Sequence, residues 1–244
     1  MTTKPLYLED AYRREAAARV TSITEEGGIV LDGSLFYPTS GGQPGDSGWL
    51  RWGLAEDEGE IEIATTVKGL DGAIVLVPAE PARLPSEGSL VRQEINWDRR
   101  HKHMRVHTAL HLLSVVIPLP VTGGAITPDK GRLDFDMPDE LDDRDEIENT
   151  LNMLIGCDFA VNEEWITDED MDANPGLVKT LRVKPPRGTG RVRLVRIGVG
   201  DDTADLQPCG GTHVARTSEI GKIRLDKIQK KGKRTRRVYL HLDA

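Results

Sequence analysis

The chain has 244 residues, 38% of them hydrophobic, and a formal net charge of −8. Its length suits one large or two modest globular domains, and two is the expectation. No apolar run approaches the roughly twenty residues of a membrane span, and the polar, mixed stretch Met1 to Asp10 does not read as a secretory leader, so a soluble cytoplasmic protein is expected.

From Arg19 to Ile95 the pattern is short β-rich pieces separated by Gly and Pro: Val20–Ile23, Ile29–Leu31, Ser34–Tyr37, Ile61–Val67, Ala73–Val77 and Leu90–Ile95. Gly27-Gly28, Asp32-Gly33 and Asp71-Gly72 supply turns between them. This predicts a small β-barrel domain over residues 1–95. Within it, Ser40-Gly41-Gly42-Gln43-Pro44-Gly45-Asp46-Ser47-Gly48 is dense in glycine. One reading is a tight barrel turn; the other is a loop whose bare backbone N–H groups and Gln43 amide approach a ligand. Asp46 is expected to cap the turn.

The chain then changes character, and residues 96–244 form the second predicted domain. Asp98 is a plausible N-cap for a helix that runs to Val116 and is stopped by Pro118. Val106, Leu110, Leu113 and Ile117 make its inward stripe, leaving His107 and His111 at the edge of the packed face. A second helix is expected from near Pro138, with Ile147, Leu151, Leu154 and Ile155 inward. Strands are expected at Arg132–Asp136, Phe159–Trp165, Arg191–Ile197, Gly221–Ile228 and Arg237–Leu242, giving an α+β class with helices on one face of a largely antiparallel sheet.

Charge is unevenly spread. Residues 1–97 carry 8 basic and 16 acidic groups and residues 129–174 carry 3 and 17, whereas residues 98–128 carry 4 and 1 and residues 175–244 carry 17 and 6. The basic parts also hold the chemically suggestive residues, an asymmetry that would draw a polyanion toward them. In Gly221 to Arg237 nine Lys or Arg accompany one acid, and Lys230, Lys231, Lys233, Arg234 and Arg236 are candidate phosphate contacts. Few aromatics interleave, so contact with the backbone of a folded RNA is more natural than base stacking.

Those suggestive residues are His107-Thr-Ala-Leu-His111 and Cys209-Gly-Gly-Thr-His213. Histidines at i and i+4 of a helix point the same way, and glycines let a Cys and a His fold back toward a common point, so the four are candidate zinc ligands. His101, His103 and His241 lack such company and are expected at the surface or at helix ends. Cys157 is expected as a small buried apolar residue, since two cysteines make no disulfide framework. No Glu follows the first His, which removes the helix-borne base of zinc proteases; an activated ester is a more suitable substrate than a peptide. Whether four ligands close the ion off as a structural site or leave room for a reactant is left open.

Taken together, Phe36-Tyr37-Pro38 before the glycine-rich run, Asn96-Trp97-Asp98-Arg99-Arg100, Met104-Arg105, His107 to Leu113, Gln207 to Val214 and Glu219-Ile220-Gly221 resemble the AlaX family, free-standing relatives of the editing domain of alanyl-tRNA synthetase. The resemblance covers nearly the whole chain. It implies a barrel domain plus a zinc-bearing editing domain, acting in trans on tRNA(Ala) mischarged with serine or glycine, with no ATP and no membrane. By position His107, His111, Cys209 and His213 would hold the zinc. A synthetase pocket for alanine cannot strongly reject an analogue with one more hydroxyl, whereas a second site that binds the hydroxyl can reject alanine. Gln43, Thr108, Thr122 and Thr127 are candidates for that polar group. The rival readings are an RNA-binding module with a purely structural zinc and a zinc hydrolase for a small ester.

Overall fold

The computed structural model describes residues 2–53, 58–138, 143–180 and 190–243. The chain divides into two units, Met1–His101 and Lys102–Ala244, with the division inside helix α1 (Trp97–Val116).

The first unit contains β1 (Lys4–Pro5), β2 (Glu15–Ile23), β3 (Ile29–Leu31), β4 (Gly33–Ser34), β5 (Gly48–Trp52), β6 (Gly59–Lys68), β7 (Ile74–Pro78) and β8 (Leu90–Ile95). Six of them close a barrel in the order β2-β3-β7-β6-β5-β8. Each barrel strand sends an aliphatic side chain into the core: Val20, Leu31, Leu76, Ile63, Leu50 and Val91 are all buried. Alternation along β2 and β8, with charged residues outside, is the pattern of a one-sided strand. Ile29–Leu31 and Leu90–Ile95 form as expected. The expected strand Ser34–Tyr37 shrinks to Gly33–Ser34, which pairs with β1, and β5 emerges directly from the glycine-rich run, whose turn residues conceal its start.

That run folds down onto β6. A Cβ at Gly45 would stand 2.1 Å from the Thr66 carbonyl oxygen, so only glycine allows the approach. Asp46 accepts the Tyr37 N–H (2.7 Å) and pairs with Arg100, which is fully buried and also donates to the Leu35 (2.6 Å) and Ala11 (3.0 Å) carbonyls. Asn96, not Asp98, caps α1: its Oδ1 accepts the Arg99 N–H at 3.1 Å, leaving Asp98 in the first turn.

The second unit contains β9 (Val121–Thr127), β10 (Lys130–Asp136), α2 (Arg144–Gly156), β11 (Val161–Thr167), α3 (Asp168–Ala173), β12 (Arg191–Ile197), β13 (Asp205–Pro208), β14 (Ile223–Leu225), β15 (Gln229–Lys230) and β16 (Thr235–Leu242). The class is α+β as expected, but the strands make two antiparallel sheets rather than one. One runs β14-β16-β10-β9 with β15 on β16; the other runs β11-β12-β13. Helix α1 lies against β10, where a Cβ at Gly131 would meet Val106 at 2.6 Å. Helix α2 covers the edge strand β14: Asn152 exchanges two hydrogen bonds with the Ile223 backbone and Glu148 accepts the Leu225 N–H, supplying partners that an open edge lacks.

Helix α2 begins at Arg144 behind an Asp143 cap, later than the expected start near Pro138. Ile147, Leu151 and Ile155 are buried, while Leu154 is half-buried. Cys157, expected inside, is exposed, because it lies two residues past Ile155 and thus on the opposite side of the helix end. Val106, Leu110, Leu113 and Ile117 are buried as expected, yet burial extends round the whole helix from Val106 to Ser114, so the histidines are enclosed rather than at an edge. His103, expected at the surface, is fully buried. His241 is half-buried and faces Asp226 at 2.8 Å, and His101 stacks on Trp97.

Candidate metal centre

Helix periodicity places His107 and His111 one turn apart on α1. The run after β13 brings Cys209 and His213 against them. One donor atom from each of the four lies within 4.8 Å of every other. Cys209 Sγ stands 3.5 Å from His107 Nε2 and 3.3 Å from His213 Nε2. Ligand bonds to zinc of about 2.0–2.3 Å in a tetrahedron imply ligand separations of roughly 3.3–3.8 Å, so these two spacings already match. Three imidazoles and a thiol are also the donor chemistry zinc favours. The residues present fit the ion.

The rings are held from behind. His111 Nδ1 faces Asp205 Oδ2 at 2.9 Å, and Asp205 is further engaged by Gln207 Nε2 (2.7 Å) and by Lys179. Gln207 also reaches Ser114 Oγ at 3.3 Å, and Ser114 donates to the His111 carbonyl. His213 Nδ1 faces Thr108 Oγ1 at 3.1 Å. Because the Thr108 hydroxyl proton goes to the Met104 carbonyl (2.9 Å), the oxygen is left to accept from the His213 ring and from the Val214 N–H (3.3 Å). Both contacts place the ring proton on Nδ1 and turn the Nε2 lone pair inward, the tautomer a metal ligand needs.

Without a cation the cluster distributes its own charge. Burial opposes a charged His111, but hydrogen bonding to Asp205 and the Cys209 thiolate outweighs it and raises the ring to about 9. Burial likewise opposes the Asp205 carboxylate, yet His111 and Lys179 hold it at about 2. The Cys209 thiol sits well below its ordinary value because His107 and His213 outweigh its desolvation. His213 is pushed down to about 3 by burial and by His107. A divalent cation held by these residues would find a ready thiolate and a neutral imidazole, and its binding would be coupled to loss of a proton from His111.

The structure brings together all four candidate ligands expected from the sequence. Thr108 is fully buried behind His213. Gln43 lies in the barrel unit, buried, its backbone exchanging hydrogen bonds with Ser40. Lys230, Lys231 and Lys233 are exposed, as is Arg234, which pairs with Asp136 at 2.8 Å. Arg236, expected to meet phosphate, is only 4% exposed and donates to the Gly232 and Pro138 carbonyls, because strand alternation turns it to the same side as Val238 and Leu240. Asp205, Gln207, Ser114 and Lys179 were not anticipated; of these only Asp205 and Gln207, two residues apart beside Cys209, left a signal in the spacing.

Comparison with known proteins decides the lineage. The family described as Threonyl and Alanyl tRNA synthetase second additional domain matches residues 192–239. The chain is 36% identical to "Alanyl-tRNA editing protein AlaX-M" of Methanosarcina acetivorans, covering 98% of this chain and 99% of that protein. The chain belongs to the AlaX-M family. The AlaX-M protein of Saccharolobus solfataricus is 34% identical over 97% of the chain and 98% of its own length. Alanine–tRNA ligase of Caldivirga maquilingensis is 34% identical over 93% of the chain but only 25% of the ligase. The matched segment 192–239 contains Cys209 and His213, while the α1 histidines lie outside it, within the span that the nearly full-length AlaX-M match covers. Among the described residues no helix is long and apolar enough to cross a membrane.

Proposed function

We propose that this protein is a cytoplasmic trans-editing hydrolase that removes serine, and secondarily glycine, from mischarged tRNA(Ala) by zinc-dependent hydrolysis of the aminoacyl ester. The observation that carries the reading is the convergence of four metal-type donors, three buried histidines and a half-buried cysteine, in a chain whose nearly full-length relatives are named alanyl-tRNA editing proteins. A zinc ion held by His107, His111, Cys209 and His213 would supply Lewis-acid polarisation of the ester carbonyl. The protein's own residues prepare that chemistry. Thr108 and Asp205 fix the ring tautomers, and burial of the three imidazoles holds them in place while Cys209 stays half-buried. Asp205 is 2% exposed and committed to His111, Gln207 and Lys179, so it orients rather than acting as a base toward water.

Electrostatics favours an RNA partner. Lys227, Lys230, Lys231 and Lys233 are exposed and none makes an ion pair among the described residues, whereas the neighbouring Arg224, Arg234 and Arg237 are paired with aspartates. The lysines are therefore the groups available to phosphates, and the arginines shape the hairpin that presents them.

Deacylation of Ser-, Gly- and Ala-charged tRNA(Ala), with and without chelator, tests the proposal. Serine release that chelation stops and zinc restores, with alanine retained, is expected. Full activity in metal-free protein, or equal hydrolysis of Ala-tRNA(Ala), overturns it. Four protein donors complete a tetrahedron, which favours a second reading as an RNA-binding module with a structural zinc; that reading expects tRNA binding without turnover. Replacing Lys230, Lys231 and Lys233 with Gln should flatten the salt dependence of tRNA binding by a slope of about one per lysine.

A further inference from the structure

The metal ligands and the groups behind His111 and His213 leave one buried cation beside the site unexplained. Arg193 on β12 is 7% exposed. Its Nη1 donates to two carbonyls of the ligand run at once, Cys209 (2.7 Å) and Gly211 (2.9 Å), and its Nη2 meets Glu163 on β11. The regular ladder between β12 and β13 ends at Leu194 and Pro208, and the last bond beyond it runs from the Cys209 N–H to the Arg193 carbonyl. From that point the chain must leave the sheet to turn Cys209 and His213 toward α1, and its carbonyls lose their strand partner. Arg193 Nη1 takes the place of that partner. With the two carbonyls drawn to one side, the Gly211 N–H is left facing Cys209 Sγ at 3.4 Å, a donor to the thiolate. The Arg193 Nε–H is buried with no hydrogen-bond partner among the described residues, so the guanidinium is kept inside although one of its donors goes unused.

We propose that Arg193 is the positioning residue that presents Cys209 to the metal, with Glu163 steering its guanidinium. The assignment rests on the metal-site reading above. A lysine has a single nitrogen and cannot set one on the two carbonyls and a second on Glu163, so it is not an equivalent replacement.

The test is cobalt(II) titration of the metal-free full-length protein, followed by the thiolate-to-cobalt charge-transfer band and by chelator competition. Arg193→Lys should bind cobalt about 10- to 100-fold more weakly than wild type, the range for losing a group that supports a ligand, with a weakened or displaced charge-transfer band. Glu163→Gln, at a partly exposed site, should weaken binding in the same direction by a smaller factor and carries the test alone if Arg193→Lys does not fold. A purely structural role would lower the melting temperature while leaving cobalt affinity and the band of the folded protein unmoved, and that result overturns the proposal. Wild-type protein that takes up no cobalt overturns the metal reading itself and Arg193's role with it, whereas tight wild-type binding with unaffected variants sinks only the role of Arg193.

Discussion

Each unit buries a cluster of polar groups, and the two are built to opposite ends. In the barrel unit, Arg100 and Asp46 are both buried and answer each other, with Arg100 adding two carbonyl acceptors and Asp46 a backbone donor. Donors meet acceptors through Asp46 Oδ2, while Asp46 Oδ1 is buried without a hydrogen-bond partner among the described residues. In the second unit, the hydrogen bonds of His111 and His213 run outward to Asp205 and Thr108, while Nε2 atoms and a thiol face one another across a few ångströms. The donor atoms face one another there, so the cluster could hold a cation at the point where they converge. Buried polarity alone thus does not mark a functional site; the direction in which its lone pairs point does.

Breaking each cluster should expose the contrast. Cys209→Ala should abolish metal uptake and deacylation together, read by metal analysis and by serine release. Arg100→Met should leave both activities in the folded fraction intact but cost about 3–5 kcal/mol of stability, since it strands a buried carboxylate; urea denaturation checks it, and unchanged stability would place the pair's value elsewhere. Asp205→Asn, which keeps shape but removes the charge behind His111, should weaken zinc about 10- to 100-fold, measured by chelator competition. An exposed pair supplies the lower bound. Asp158, bonded to Arg216 and Ser218, is held at about 2 against an ordinary 3.8. A lowered carboxylate stabilises above its ordinary value and loses that contribution as pH falls through the folded one. Stability should therefore decline slightly more steeply in wild type than in Asp158→Asn between about pH 4 and 2, as thermal melts across that range would show.

The sequence made the candidate ligands legible because helix spacing and a glycine-spaced Cys-His pair are local patterns. The barrel was legible for the same reason, through aliphatic alternation and turn dipeptides. What escaped was made by pairing at a distance. Strands β5, β9 and β13 carry Gly, Thr, Asp, Gln and Pro, and become strands because a neighbour supplies their hydrogen bonds. Asp205 and Gln207 gain their place behind His111 only when β13 sets them beside α1, and Arg236, expected to meet phosphate, is turned inward by its strand. Cys157 misled in the other direction, since cysteine's usual burial said nothing about which side of a helix end it would occupy.

The shortest of the strands that serve the site has the strictest duty. In the alignment Leu194–Pro208, Val195–Gln207, Arg196–Leu206 and Ile197–Asp205, the two polar side chains that meet His111 alternate with a leucine and a proline. Sliding this four-residue segment by one place would swap the faces, offering the imidazole a hydrocarbon wall and sending the carboxylate to the far side. A proofreader of translation would then be silenced by a misalignment of its own, with every residue of its sequence correct.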